Sequence, residues 1–124
     1  QKIEEGDFCP FCSREYMETE HPHPILLENN HWYATRNRWP YDGAKEHLLL
    51  VCKGGHPIHP RELSAEAWED LQSIVTEISE KLELHDATLV MRFGDSDKTG
   101  ATVNHLHAQI ISGTGDKPVL ARVG

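Results

Sequence analysis

The chain has 124 residues, enough for one hydrophobic core and hence one domain spanning 1–124. Its 12 basic residues stand against 20 acidic ones, a formal net charge of −8, which disfavours nonspecific adhesion to nucleic acid or to an anionic membrane. No apolar run approaches the ~20 residues of a bilayer span and the start QKIEEGDFCPFC lacks a signal-peptide pattern, so the expected setting is the cytoplasm, with no membrane or nucleic-acid partner.

Residues 1–24 are polar and turn-rich, with CPFC near the front and HPHP at the end, and read mostly as loop. HWYATRN, 31–37, has the aromatic and β-branched content of a strand, and NRWPYDGAKE is a loop punctuated by Pro40 and Gly43. HLLLVCK, 47–53, is too apolar for an edge and reads as a central strand, with Cys52 a buried core thiol. Ser64 is the N-cap of one clear helix, Leu63 and Trp68 sitting where a hydrophobic staple would hold it. Trp68, Leu71, Val75, Ile78 and Leu82, widened by Ile74, form the stripe expected to cover a sheet. TLVMRF, 88–93, is a further strand, joined through GDSDKTGAT, whose two glycines allow a tight hairpin, to TGATVNHLHAQIIS, 99–112. Strands, helix, strands is the order of an α+β domain.

The last strand carries the chemistry. His105, His107 and Gln109 alternate with Leu106, Ala108 and Ile110, so the polar groups share one face and the apolar ones enter the core. Such a face can simply be wet, but two imidazoles can also bind a metal, attack a phosphorus or carry a proton near neutral pH. An anionic substrate would need a local positive spot to offset the net charge. CPFC is the usual half of a tetrahedral zinc site; it can also be redox-active or incidental. A redox motif should follow a strand and open a helix, so zinc is preferred, with partners among the nine histidines.

GATVNHLHAQI, 100–110, together with NRWPY, HLLLVCK and the HPRELS segment that leads into the helix, resembles the histidine triad (HIT) superfamily. The form His-x-His-x-Gln is similar to the branch of galactose-1-phosphate uridylyltransferase and the diadenosine tetraphosphate phosphorylases. The resemblance implies an antiparallel sheet with one long helix, a homodimer, and nucleotidyl hydrolase or transferase activity through a nucleotide attached covalently to histidine. Matched position by position, His107 is the nucleophile, Gln109 a donor to phosphate and His47 a residue bordering the site. Asn37 would contact the nucleoside, and Thr102 and Asn104 the phosphate. Zinc-bearing members imply Cys9, Cys12, His56 and His105 as structural ligands tethering the loop at 1–24, with His59 the fallback for His56. Ala101 and Gly94-Asp95-Ser96 depart from the family's more usual residues. Gln109 cannot protonate a departing amine, so the expected substrates are pyrophosphate-linked nucleotides. A rival class is a nucleotide sensor or docking module without turnover.

Overall fold

The computed structural model describes residues 9–95, 98 and 105–121. Five antiparallel strands, β1 Ile25–Glu28, β2 Trp32–Arg36, β3 Ala44–Cys52, β4 Thr88–Arg92 and β5 His107–Gly113, form one sheet in the order β1-β2-β3-β5-β4. Among the described residues the α-helices of more than one turn are α1 Arg14–Thr19 and α2 Ala65–Lys81. This is the expected α+β arrangement with one long helix. Among the described residues no helix is long and apolar enough to cross a membrane.

β3 and β5 lie side by side at the centre, in a register that sets Leu49 opposite Gln109 and Val51 opposite His107. Leu48, Leu50, Ala108 and Ile110 point to one face and pack with Trp32, Leu71, Ile74 and Ile78. The helix that brings the last three begins at Ser64, whose Oγ accepts from the Ala67 N–H at 3.1 Å. The Trp32 indole N–H then donates to the Ala67 carbonyl at 2.8 Å, which fixes the first turn of α2 above β2. Cys52 is buried, as expected.

The buried stripe of α2 is Ala67, Leu71, Ile74 and Ile78, a spacing of four, three and four. Trp68 is not part of it: at 44% exposed it lies one residue, about 100°, around the helix from Ala67, and the small Ala67 lets α2 approach Trp32. The strand boundaries differ as well. β3 starts three residues before His47, and β5 begins at His107, so His105 stands just outside the strand.

On the opposite face of the sheet His105, His107 and Gln109 are all buried, so this row is not simply a wet strand face. Their cover is the segment read as loop. Ser13 caps α1, accepting from the Tyr16 N–H at 3.1 Å, and Met17 packs with Tyr33, Leu49 and Val51, joined by Phe11, Tyr16 and Ile25. Six residues are too few to display a helical period, and their burial depends on strands far along the chain. Four-residue β1 escapes a sequence reading for the same reason.

Candidate active site and metal centre

His107 opens β5 and is 4% exposed. Its Nδ1 lies 2.7 Å from the carbonyl oxygen of His105. A carbonyl only accepts, so Nδ1 carries the proton and Nε2 keeps the lone pair. Burial pushes the imidazole pKa down to about 4, so the ring is neutral near pH 7.

A second network fixes Gln109. The backbone N–H of Tyr41 donates to Nδ1 of His47 at 3.0 Å. Nε2 of His47 therefore bears the proton and donates to Oε1 of Gln109 at 2.5 Å. Both amide hydrogens of Gln109 are left to donate elsewhere. His47 is itself held below the usual histidine pKa by burial, which preserves this tautomer. Asn37 binds the same corner: its N–H donates to the His47 carbonyl at 2.8 Å, and its Oδ1 accepts from the Trp39 N–H at 2.8 Å. Its Nδ2 lies 3.4 Å from His47 Nε2; both atoms are donors there, so this is contact and not a bond.

The structure thus gathers His107, Gln109, His47 and Asn37, while Thr102 and Asn104 lie outside the described residues. It also brings in residues that sequence reasoning left aside. One pocket is lined by Phe11, Tyr16, Asn37, Trp39, His107 and Gln109. Phe11 meets the His107 ring edge-on at 5.2 Å. Arg38, also on the wall, donates to the Tyr16 hydroxyl at 3.2 Å and lies 5.3 Å from the Trp39 ring centre. Arg92 pairs with His107 across β4 and β5 and is buried against the Tyr41 hydroxyl. The alternation of Thr88, Val90 and Arg92 in TLVMRF is the signal that would have placed it on the polar face. A larger groove of about 680 Å³ between α1 and β1 contains none of the expected site residues.

Beside His107, the ligand atoms of Cys9, Cys12, His56 and His105 lie within 4.8 Å of one another. Nδ1 of His105 is 3.5 Å from Cys9 Sγ, 3.4 Å from Cys12 Sγ and 3.1 Å from Nδ1 of His56; Cys12 Sγ to His56 Nδ1 is 3.1 Å. Metal–nitrogen and metal–sulfur bonds of about 2.0 and 2.3 Å imply tetrahedral edges of about 3.3–3.8 Å, close to these separations. Cys12 ends the Pro10–Cys12 turn and Cys9 stands just before it, its carbonyl accepting from the Cys12 N–H at 3.1 Å, while the loop through Gly54 and Gly55 supplies His56. Nε2–H of His105 donates to the Cys52 carbonyl at 2.8 Å, leaving Nδ1 to face the cluster. Burial, with Cys9 beside it, pushes the Cys12 thiol up to about 11. A cation at the centre would reverse that balance. His59 stands apart, its Nδ1 accepting from the Arg61 N–H at 3.1 Å and its ring on Phe93; His56, not the fallback, joins the cluster.

A HIT family hydrolase from Clostridium thermocellum is similar in structure, with 23% identity, TM-score 0.70, and coverage of 94% of this chain and 100% of that one. A HIT family protein from Bacillus anthracis gives 22%, 0.72, 97% and 83%. A histidine triad nucleotide-binding protein from Candida albicans gives 20%, 0.68, 93% and 86%. A search of curated proteins finds no match. The model of the HIT domain matches residues 18–116, a span holding both networks around His107, and the chain accordingly belongs to the HIT domain family.

Proposed function

We propose that the protein is a zinc-containing nucleotidyl hydrolase or transferase of the His-x-His-x-Gln kind, acting on pyrophosphate-linked nucleotides through a nucleotide carried on His107. The observation that carries the reading is the bond from His107 Nδ1–H to the His105 carbonyl, which leaves the Nε2 lone pair in a pocket that also holds Gln109. The lone pair attacks the α-phosphorus, the N–P bond forms, and the P–O bond to the leaving phosphate breaks with its electron pair on oxygen. The amide hydrogens of Gln109, released by the His47 bond to Oε1, donate to the phosphoryl oxygens as charge gathers there. Water, releasing its proton to solvent, or a phosphorylated acceptor then forms the new P–O bond, and the N–P pair returns to Nε2. Asn37, Thr102 and Asn104 complete the contacts to nucleoside and phosphate in this reading.

Cys9, Cys12, His56 and His105 would hold the zinc. Four protein ligands with no open position make a structural ion, which supplies a cross-link between the N-terminal turn and the residue two before the nucleophile. Exposed Leu89 and Phe93, at 51% and 48%, lie on and just after edge strand β4 and support a homodimer joined there. Sedimentation tests this: Leu89→Lys should give monomer if β4 is the interface.

His107→Gly tests the activity. It should abolish turnover of dinucleoside polyphosphates while the protein still folds and binds nucleotide, with an earlier melt because the buried His107 ring packs on Phe11. Wild-type turnover in that variant would dismiss His107 as the nucleophile. Binding by a parent protein that turns nothing over would favour the sensor.

A further inference from the structure

Two cavities lie near the row of His107 and Gln109, and only the first is lined by those two residues. One is the pocket under Phe11 and Tyr16. The other, about 430 Å³, lies on the β4 side, lined by Tyr41, Asp86, Thr88, Val90, Ile111 and Gly113 with Lys117 from the C-terminal segment. Val90 pairs with Gln109 and Arg92 with His107, and partners directly opposite in an antiparallel ladder project to the same side. Met91 packs into the core on the helix face, so Arg92 points to the face that bears the nucleophile. Nη2 of Arg92 donates to the Tyr41 hydroxyl at 3.0 Å, and the Tyr41 ring lies 4.4 Å from that of His47. Arg92 is 9% exposed. A permanent cation thus stands level with the nucleophile and reaches Tyr41, which both lines the second cavity and belongs to the network that orients Gln109.

We infer that Arg92 is a catalytic residue that receives the phosphate of the leaving group, and that the β4 cavity houses the second, phosphorylated half of a phosphoanhydride-linked nucleotide. The inference rests on the nucleotidyl-transfer reading above and adds a place and a partner for the departing group. As His107 Nε2 forms its bond to the α-phosphorus, the electron pair of the broken P–O bond moves onto the bridging oxygen. Gln109 has no proton to give that oxygen, so its growing negative charge must be met by a donor already in place. A guanidinium meets this need: it stays protonated, its planar fork of N–H groups matches phosphate oxygens, and in a water-poor site its pull on an anion is strengthened. It also supplies the local positive charge that an acidic chain needs to accept an anion. A neutral amine leaving group would draw little from it.

The test compares kcat/KM on diadenosine tetraphosphate and on an adenosine 5′-phosphoramidate for the parent protein, Arg92→Gln and Arg92→Lys. Arg92→Gln should lose about a hundredfold or more on the tetraphosphate and stay within about threefold on the phosphoramidate, with Arg92→Lys recovering part of the loss. Equal losses on both substrates, or none on the tetraphosphate, would overturn the assignment. Where Arg92→Gln does not fold, Tyr41→Phe, which removes the hydroxyl that steadies the guanidinium, takes its place and should lose about tenfold on the tetraphosphate alone; a loss on both, or on neither, again overturns it. If the parent protein turns over neither substrate, the nucleotidyl-transfer reading has failed, and calorimetry with inorganic pyrophosphate judges Arg92 separately. Parent binding weakened at least tenfold in Arg92→Gln, or in Tyr41→Phe where that variant stands in, sustains it as a phosphate receptor; unchanged or absent binding refutes it.

Discussion

Replacing Gln109 by Glu changes one group at nearly constant shape. Oε1 of Gln109 accepts from Nε2–H of His47 at 2.5 Å, and a carboxylate oxygen accepts that proton equally well, so the His47 network and the fold should persist. The other atom changes from an N–H donor to an anionic oxygen where a phosphoryl oxygen must come. Loss of a hydrogen bond to a charged group is worth about 1.5–3 kcal/mol. Two like charges about 4 Å apart at an effective dielectric of about 20 repel by about 4 kcal/mol. The sum, about 5–7 kcal/mol, corresponds to a fall in kcat/KM of about four orders of magnitude or more. Steady-state kinetics on a dinucleoside tetraphosphate, with melting curves to verify folding, measures it. A folded Gln109→Glu protein within tenfold of the parent would refute the claim that the Gln109 amide faces the phosphate.

Purified protein should hold about one zinc per chain by metal analysis, and Cys9→Ser or His105→Ala should lose it and melt earlier; a protein free of zinc without exposure to chelator would contradict the cluster's assignment. In denaturant titrations, Leu71→Ala should cost about 2–5 kcal/mol because Leu71 is buried beneath α2, whereas Trp68→Ala should cost under about 1 kcal/mol; the reverse ranking would restore Trp68 to the core. The Arg14 and Lys53 side chains hold Glu28 below the usual carboxylate pKa, so its stabilising contribution is complete above about pH 4.5 and is lost as pH falls through the lowered native value. Melting temperatures between pH 6 and 3 should therefore fall less steeply for Glu28→Gln than for the parent protein; identical slopes would show the two ion pairs to be inert.

The sequence shows the site most clearly where neighbours in the chain remain neighbours in space. Alternation in HLHAQI separates Leu106, Ala108 and Ile110, which enter the core, from His107 and Gln109, and Ser64 marks the helix start through a contact three residues long. The four residues of the metal cluster, with Cys9 and His105 96 positions apart, are implied by the family resemblance; spacing within CPFC alone marks only the two sulfurs. What the sequence hides is decided by partners elsewhere in the fold. Phe11 and Met17 look like loop residues until β2 and β3 supply Tyr33, Leu49 and Val51 beneath them, which covers the face of His107 and lines a pocket over it. Trp68 fits the helical period, yet the close approach of Ala67 to Trp32 rotates it outward. Arg92 has no marked role within TLVMRF until the register of β4 on β5 sets it beside His107.

The central claim, that a nucleotide is carried on His107, is tested most directly by mixing the protein with a dinucleoside tetraphosphate, quenching without acid because a phosphoramidate on histidine is acid-labile, and mapping the peptides by mass spectrometry. The account predicts a gain of one nucleoside monophosphate on the peptide containing His107, absent from His107→Gly. An adduct on another residue, or turnover of the tetraphosphate with no adduct at any time point, would contradict it.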